Sequence, residues 1–122
     1  MNFKFKQEIS DVNQRKQKCD ELKQQFPDKI PIICEKDPRA KTLNDIDKAK
    51  YLVPKEISVA QFSCMIRKRL KLNENDAFFL IAKEKHTISG ETTMNDVYIK
   101  YSDKDDGYLY LTYTSKEIWG SN

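Results

Sequence analysis

Gly120 stands two residues from the end of this 122-residue chain, between Trp119 and a polar Ser121-Asn122 tail. A glycine so placed can do acyl chemistry. Having no Cβ, it lets a protease, an activating enzyme or an acyl acceptor approach its carbonyl, and the two residues after it look removable. Taken alone, the same tail also fits a frayed end. Other candidates for chemistry are few. His86 is the single histidine, in the stretch Lys83-Glu84-Lys85-His86-Thr87 that reads as a loop, and nothing in the sequence orients it for a Cys/His hydrolase. Cys19, Cys34 and Cys64 are odd in number with no close pair, which argues against a disulfide framework and a zinc site. They read as small buried or half-buried thiols. No catalytic residue, metal or cofactor is predicted, so the chain reads as a protein acted upon rather than an enzyme.

The elements that must position Gly120 belong to one domain of a size that buries a single core without staples. With 39% hydrophobic and 34% charged residues, the chain is expected to be globular with a densely charged surface. No apolar run approaches the ~20 residues needed to cross a bilayer. The first nine residues alternate lysines with Phe3, Phe5 and Ile9 where a signal peptide would need a continuous apolar block, so a cytosolic protein is expected. Net charge is +1 over residues 1–35, +6 over residues 36–71 and −4 over residues 72–122. A basic middle third could meet nucleic acid, but no recognition motif accompanies it, and an acidic peptide suits it at least as well.

Val12, Cys19, Leu22 and Phe26 recur at helical spacing, predicting an amphipathic helix over 11–25 that Pro27 ends and Ser10-Asp11 caps, behind a short helical piece containing Phe3, Phe5 and Ile9. Ile30 to Glu35 predicts a strand whose Pro31 places it at an edge or an irregular start. A polar loop leads to a second strand, Lys50 to Val53. Ser58-Val59-Ala60-Gln61 is a capping box, stapled by Ile57 and Phe62, for a helix carrying Val59, Phe62, Ile66 and Leu70. Phe78 to Ile81 predicts a buried central strand, Thr92 or Thr93 caps a helix bearing Met94, Val97, Tyr98 and Tyr101, and Tyr108 to Thr114 predicts the last strand. The order α-α-β-β-α-β-α-β describes an α+β fold, a ubiquitin-like β-grasp with a four-stranded mixed sheet and an N-terminal two-helix extension.

Several blocks then carry a resemblance. They are Phe26-Pro27-Asp28-Lys29-Ile30-Pro31-Ile32-Ile33-Cys34-Glu35-Lys36, Asp47-Lys48-Ala49-Lys50-Tyr51-Leu52-Val53-Pro54, Gln61-Phe62 with Ile66-Arg67-Lys68-Arg69-Leu70, Asp106-Gly107-Tyr108-Leu109-Tyr110, and the terminal aromatic-Gly. In order and spacing they closely resemble the autophagy ubiquitin-like modifiers, the family of the GABA-receptor-associated protein and the microtubule-associated protein light chains of autophagosomes. The resemblance spans essentially the whole chain. It implies a helical extension over 1–27, a core over 28–118 and a processing tail over 119–122. In that family a cysteine protease trims the tail after the glycine, activating and conjugating enzymes carry its carboxylate, and it is amide-linked to phosphatidylethanolamine. Gly120 is therefore implied as the cleavage and lipidation residue, with residence in the cytoplasm and, once lipidated, on autophagosomal membrane. An adaptor that is never lipidated, its Ser121-Asn122 retained, is the alternative.

The family also docks short acidic peptides of the form aromatic-x-x-aliphatic, carried by cargo receptors, as a strand beside the second strand. The resemblance implies an aromatic pocket of Leu22, Pro31, Ile33, Lys50, Leu52 and Tyr108. It implies an aliphatic pocket of Tyr51, Val53, Pro54, Ile57, Phe62, Met65 and Ile66. Lys29, Lys48, Lys50 and Arg69 would meet the peptide acids. Unaided, Leu22, Ile33, Phe62 and Ile66 read as plain core. A second site of the family maps to 76–80, where the residues themselves read as a buried strand. Three positions depart from the family pattern: Lys18 stands where many members have an acid, Trp119 where Phe or Tyr precedes the glycine, and the loop 83–90 lacks the family's prolines and carries Gly90. A monomer without nucleic acid is expected.

Overall fold

Local sequence sets where the longer helices begin. The computed structural model describes residues 2–83 and 85–119, apart from the side chains of Glu117 and Trp119. Its elements are α1 (Lys4–Glu8), α2 (Val12–Gln25), β1 (Lys29–Lys36), β2 (Lys50–Pro54), α3 (Val59–Leu70), β3 (Phe78–Ala82), β4 (His86–Thr87), α4 (Met94–Tyr101), β5 (Leu109–Ser115) and α5 (Lys116–Trp119). Asp11 caps α2 through Asn13 N–H, and Thr93 caps α4 through Asp96 N–H. Ser58 and Gln61 form the reciprocal capping box of α3. Such caps satisfy amide donors that a helix start leaves without partners.

The five strands lie in the order β2-β1-β5-β3-β4, with β1 parallel to β5 and the other neighbours antiparallel. This is the expected mixed β-grasp sheet, with two corrections. A fifth strand exists because Thr87 and His86, expected in a loop, pair with Ile81 and Ala82. The central strand is β5, and β3 lies one place from the edge.

Pro31 is also not at an edge, since β1 is flanked by β2 and β5. The reason the sheet tolerates it lies in the register. Cys34 N–H donates to Ala49 C=O, so by alternation residues 30, 32 and 34 bond toward β2 and residues 31, 33 and 35 toward β5. The β5 ladder begins only at Ile32, and the donor that proline lacks falls just outside it.

Alternation also divides the sheet into two faces. On one, Ile30, Ile32, Cys34, Val53, Leu80, Leu109, Leu111 and Tyr113 pack against Phe62, Ile66 and Leu70 of α3 and Met94 and Val97 of α4. Fully burying one such side chain stabilises by about 1.5–3 kcal/mol, so this helix-on-sheet layer is the principal core. On the other face Ile33, Tyr108 and Tyr110 pack against Phe5, Cys19 and Leu22 of α1 and α2.

The α2 stripe differs from its sequence pattern. Val12 is 36% exposed, while Arg15, one turn before Cys19, is buried. The reason is Asp106, whose carboxylate accepts Arg15 Nε–H at 2.9 Å, the Tyr110 hydroxyl and Tyr108 N–H at 3.0 Å. Arg15 also donates to the Ile9 and Ser10 carbonyls. Cys64, expected to be covered, is exposed, because its position on α3 lies off the Phe62–Ile66 face.

Two close approaches need special residues. Gly107 has φ +89°, and a Cβ there would come within 3.0 Å of Cys19 Sγ. Lys71, at φ 57°, closes α3 in the left-handed conformation usually taken by glycine.

The Arg15–Asp106 side chains are 9% and 0% exposed. Replacing Asp106 by Asn leaves a buried guanidinium without its counter-ion, and the expected loss is about 3 kcal/mol of unfolding free energy, read by denaturant titration. A loss below about 0.5 kcal/mol would mean that the pair is solvated.

Candidate functional site

β2 is short, and no described strand lies beyond it. Its partner register, Ile30↔Val53 and Ile32↔Tyr51, continues the Cys34–Ala49 bond, so residues 49, 51 and 53 turn their amides toward β1. Lys50 and Leu52 therefore present both N–H and C=O outward, a template for another strand.

The side chains of the same strand divide between the two faces. Lys50 and Leu52 face the α1/α2 side, exposed and half-buried respectively. Tyr51 and Val53 face α3 and are buried there, with Tyr51 meeting Phe62 edge-to-face at a centroid distance of 5.6 Å.

Around the second pair the structure gathers Phe62 and Ile66, both without exposed surface, half-buried Ile57, and Met65, which is 41% exposed. Pro54 ends the strand exposed and out of phase with Tyr51 and Val53. Ile57 and Met65 thus supply the accessible surface and Phe62 and Ile66 back it, while Pro54, implied for the same pocket, falls in phase with Lys50 and Leu52 on the opposite face.

On the α1/α2 side, Leu22 and Leu52 are half-buried and Pro31 is buried. Ile33 and Tyr108 are covered completely or nearly so, at 0% and 2% exposure. Burial pushes the Tyr108 phenol up to about 12 and the Tyr51 phenol up to about 12, so both stay protonated and uncharged as walls of the site.

Of the four expected basic contacts, Arg69 is held by Asp47 through two bonds of 3.1 and 3.0 Å, between Nε and Oδ1 and between NH2 and Oδ2. Among the described residues no carboxylate lies in ion-pair range of Lys29, Lys48 or Lys50. Their ammonium groups sit over Phe26, Tyr51 and Phe5 at 5.6, 5.3 and 5.7 Å. Lys18 is exposed on α2.

Residues 76–80 are a strand start. Asp76 accepts the Asn73 N–H, Phe78 and Leu80 enter the core, and only Phe79 is half-buried. β4 pairs with β3 only at Ile81 and Ala82, which leaves the outer edge of 78–80 open among the described residues.

Gly120, with Ser121 and Asn122, lies outside the described residues, and so does the Trp119 side chain. The last described element, α5, puts half-buried Ile118 against the core at the end of β5. Sequence reading missed Phe5 and Glu35. Glu35 accepts the Lys4 and Phe5 amides at 2.8 and 3.1 Å, doing for α1 what the uncapped Phe3 does not. Its signal was a lone acid in an apolar strand.

A cavity of about 690 Å³ opens between α1 and residues 45–50, bordered by Lys48 and Lys50. Leu22, Pro31, Ile33, Leu52 and Tyr108 are not part of its lining. Among the described residues no cluster of His, Cys, Asp or Glu could hold a metal ion.

Comparison with known proteins gives a consistent set of relatives. The family model described as autophagy protein Atg8, ubiquitin-like, matches residues 14–120. Human microtubule-associated protein 1 light chain 3 gamma is 40% identical over 99 residues, 81% of this chain and 67% of its own length. Autophagy-related protein 8 of Coccidioides immitis is 38% identical over 121 residues, 99% of this chain and all of its own. The crystal structure of Trypanosoma brucei ATG8 superposes with a TM-score of 0.84 at 32% identity, covering 95% of this chain and 97% of that one.

The groove geometry predicts how its residues divide between folding and function. Leu52→Ala is expected to cost about 1 kcal/mol of stability or less and Lys50→Ala within about 0.5 kcal/mol, whereas Phe62→Ala should cost about 3–5 kcal/mol. Thermal or denaturant unfolding of the three variants checks this order.

Proposed function

This chain belongs to the Atg8 family of autophagy ubiquitin-like proteins, and on that premise we propose that it is conjugated through Gly120 to phosphatidylethanolamine and docks acidic aromatic-x-x-aliphatic peptides along β2. One observation carries the peptide reading: the free edge of β2 has its two sets of side chains on opposite faces of the sheet. In an extended peptide, residues i and i+3 also project to opposite faces, about 10 Å apart along the strand. An aromatic residue then enters the Leu22–Leu52 side while the aliphatic residue reaches Ile57 and Met65 on the α3 side. Backbone bonds to Lys50 and Leu52 set the register, as in other cases of strand addition.

Lys29, Lys48 and Lys50, free of carboxylate partners among the described residues, supply the cations that acids flanking the motif would meet. Arg69 can contribute only by sharing or leaving Asp47. The peptides belong to cargo receptors and autophagy factors.

Conjugation supplies what the fold does not contain, since no described helix is long and apolar enough to cross a membrane. A two-chain lipid anchors stably where a single chain binds only weakly. The protein is the substrate in this chemistry: a cysteine protease frees the Gly120 carboxylate, and activating and conjugating enzymes pass it to the lipid amine. The conjugate sits on autophagosomal membrane and the free form in the cytoplasm.

Incubation with the processing protease, conjugating enzymes and phosphatidylethanolamine vesicles is expected to lipidate the wild type and not Gly120→Ala. Lipid transfer to the variant would overturn the assignment. Intact mass of the protein from its own cells separates this reading from a soluble adaptor, in which Ser121-Asn122 would be retained.

The groove makes a second prediction. Leu52→Ala should weaken an acidic aromatic-x-x-aliphatic peptide by about 2 kcal/mol, roughly 30-fold, mainly through faster dissociation. Lys50→Ala should weaken it in a way that shrinks as salt rises, because rim charges are screened over ~8 Å at physiological ionic strength. Titration at low and high salt reads both. A Leu52→Ala variant that binds like wild type would remove the groove from consideration.

A further inference from the structure

The peptide reading gives no role to Phe5, the aromatic side chain of α1 that sits between the aromatic pocket and the cavity. The ring of Phe5 lies edge-on to Tyr108 at a centroid distance of 5.0 Å and shares its cluster with Ile33 and Tyr110. Lys50 Nζ stands 5.7 Å from the ring centroid. Two of the six residues implied for the aromatic pocket, Ile33 and Tyr108, are thus covered by a cluster that contains Phe5. On its other side Phe5 lines the cavity of about 690 Å³, several times the volume of a phenyl ring.

Backbone and side chain at this position are held differently. The amides of Lys4 and Phe5 are fixed by the buried Glu35 carboxylate at 2.8 and 3.1 Å, bonds of the charge-assisted kind. The ring is held by apolar and aromatic contacts and by the Lys50 ammonium, with an open volume beside it. A rotation about χ1 can move it without unwinding α1.

We propose that Phe5 is a further specificity-determining residue of the peptide site: its ring closes the Ile33–Tyr108 floor, and a ligand side chain reaches that floor only when the ring swings into the adjoining cavity. This rests on the peptide reading above and adds to it a rule for the ligand's aromatic residue. A phenyl or phenol ring can rest on the outer shelf of Leu22, Leu52 and the Lys50 stem. An indole, with its second ring, needs the floor and must displace Phe5. The wild-type protein therefore selects peptides with Phe or Tyr at the aromatic position over those with Trp. Glu35 is a positioning residue, keeping α1 in place while the ring moves.

The test compares two peptides that differ only in Phe or Trp at the aromatic position, titrated calorimetrically against wild type, Phe5→Ala, Phe5→Leu and Leu52→Ala. In Phe5→Ala the affinity for the Trp peptide relative to the Phe peptide should rise about tenfold, within the range that one hydrophobic subsite supplies, with a smaller rise in Phe5→Leu. Leu52→Ala should weaken both peptides. Hydrogen exchange of the Lys4 and Phe5 amides reports whether α1 stays docked, and Phe5→Leu carries the test if Phe5→Ala does not fold. A relative affinity that stays constant across the Phe5 variants while both peptides bind would overturn the proposal and leave the groove standing. A general loosening of α1 would weaken both peptides alike and overturn it in the same way. Failure of both peptides to bind wild type would overturn the groove itself, and this proposal with it.

Discussion

The helical extension depends on one buried carboxylate. Asp106 has no exposed side-chain surface, and an isolated charge there would be too costly to keep. Arg15, the Tyr110 hydroxyl and the Tyr108 amide surround it, so α2, β5 and the turn before β5 are fixed by one group. Arg15 in turn reaches the Ile9 and Ser10 carbonyls, which sets the angle between α1 and α2. A buried ion pair of this kind adds little net stability over an apolar substitute, but removing one member is expensive. Its effect is positional: it holds Leu22 and Cys19 over Ile33 and Tyr108 and so builds one wall of the groove.

Around that anchor the α1 contacts are graded. Glu35 fixes the start of the helix by two backbone bonds, and Lys6 reaches Asp103 at 2.9 Å at a partly exposed site where an ion pair contributes little. The aromatic contacts of Phe3 and Phe5 with Tyr110 and Tyr108 fill the space between. Fixed backbone with softer side-chain packing suits a surface that must accept ligands, because a rigid frame keeps the entropic cost of binding low while a ring can yield.

The free edge of β2 connects fold and proposed function. Edge strands invite unwanted pairing, and here the edge is short and ends in Pro54, which has no amide to offer. Lys50, exposed at its other end, adds a charge. The same features that discourage pairing with another copy of the chain leave room for two outward amides and two outward carbonyls, enough to register a short extended peptide. Aliphatic contacts come from the α3 face, where the capping box starts the helix at Val59 and so fixes the heights of Phe62, Met65 and Ile66 against the strand.

The sequence by itself carried the order of the eight main elements, the capping box at Ser58, and caps at Ser10-Asp11 and at Thr92 or Thr93, because these depend on helical and strand periodicity and on capping within a few residues, while β4 and α5 went unseen. It also carried enough matching blocks to identify the family. What it left open was set by contacts between distant residues. Pro31 reads as an edge or an irregular strand start, and it lies inside the sheet at a start because the β1–β5 register begins one residue later, register being a property of two strands together. Val12 and Arg15 exchange their expected places because a carboxylate 91 residues away neutralises the arginine. The capping of α1 by Glu35 spans 31 residues, and the lone acid in an apolar strand does not say which amides it meets. The covering of Ile33 and Tyr108 by Phe5 likewise follows only when α1 is laid across the sheet, since hydrophobicity along the chain records that a side chain seeks burial and not which partner buries it.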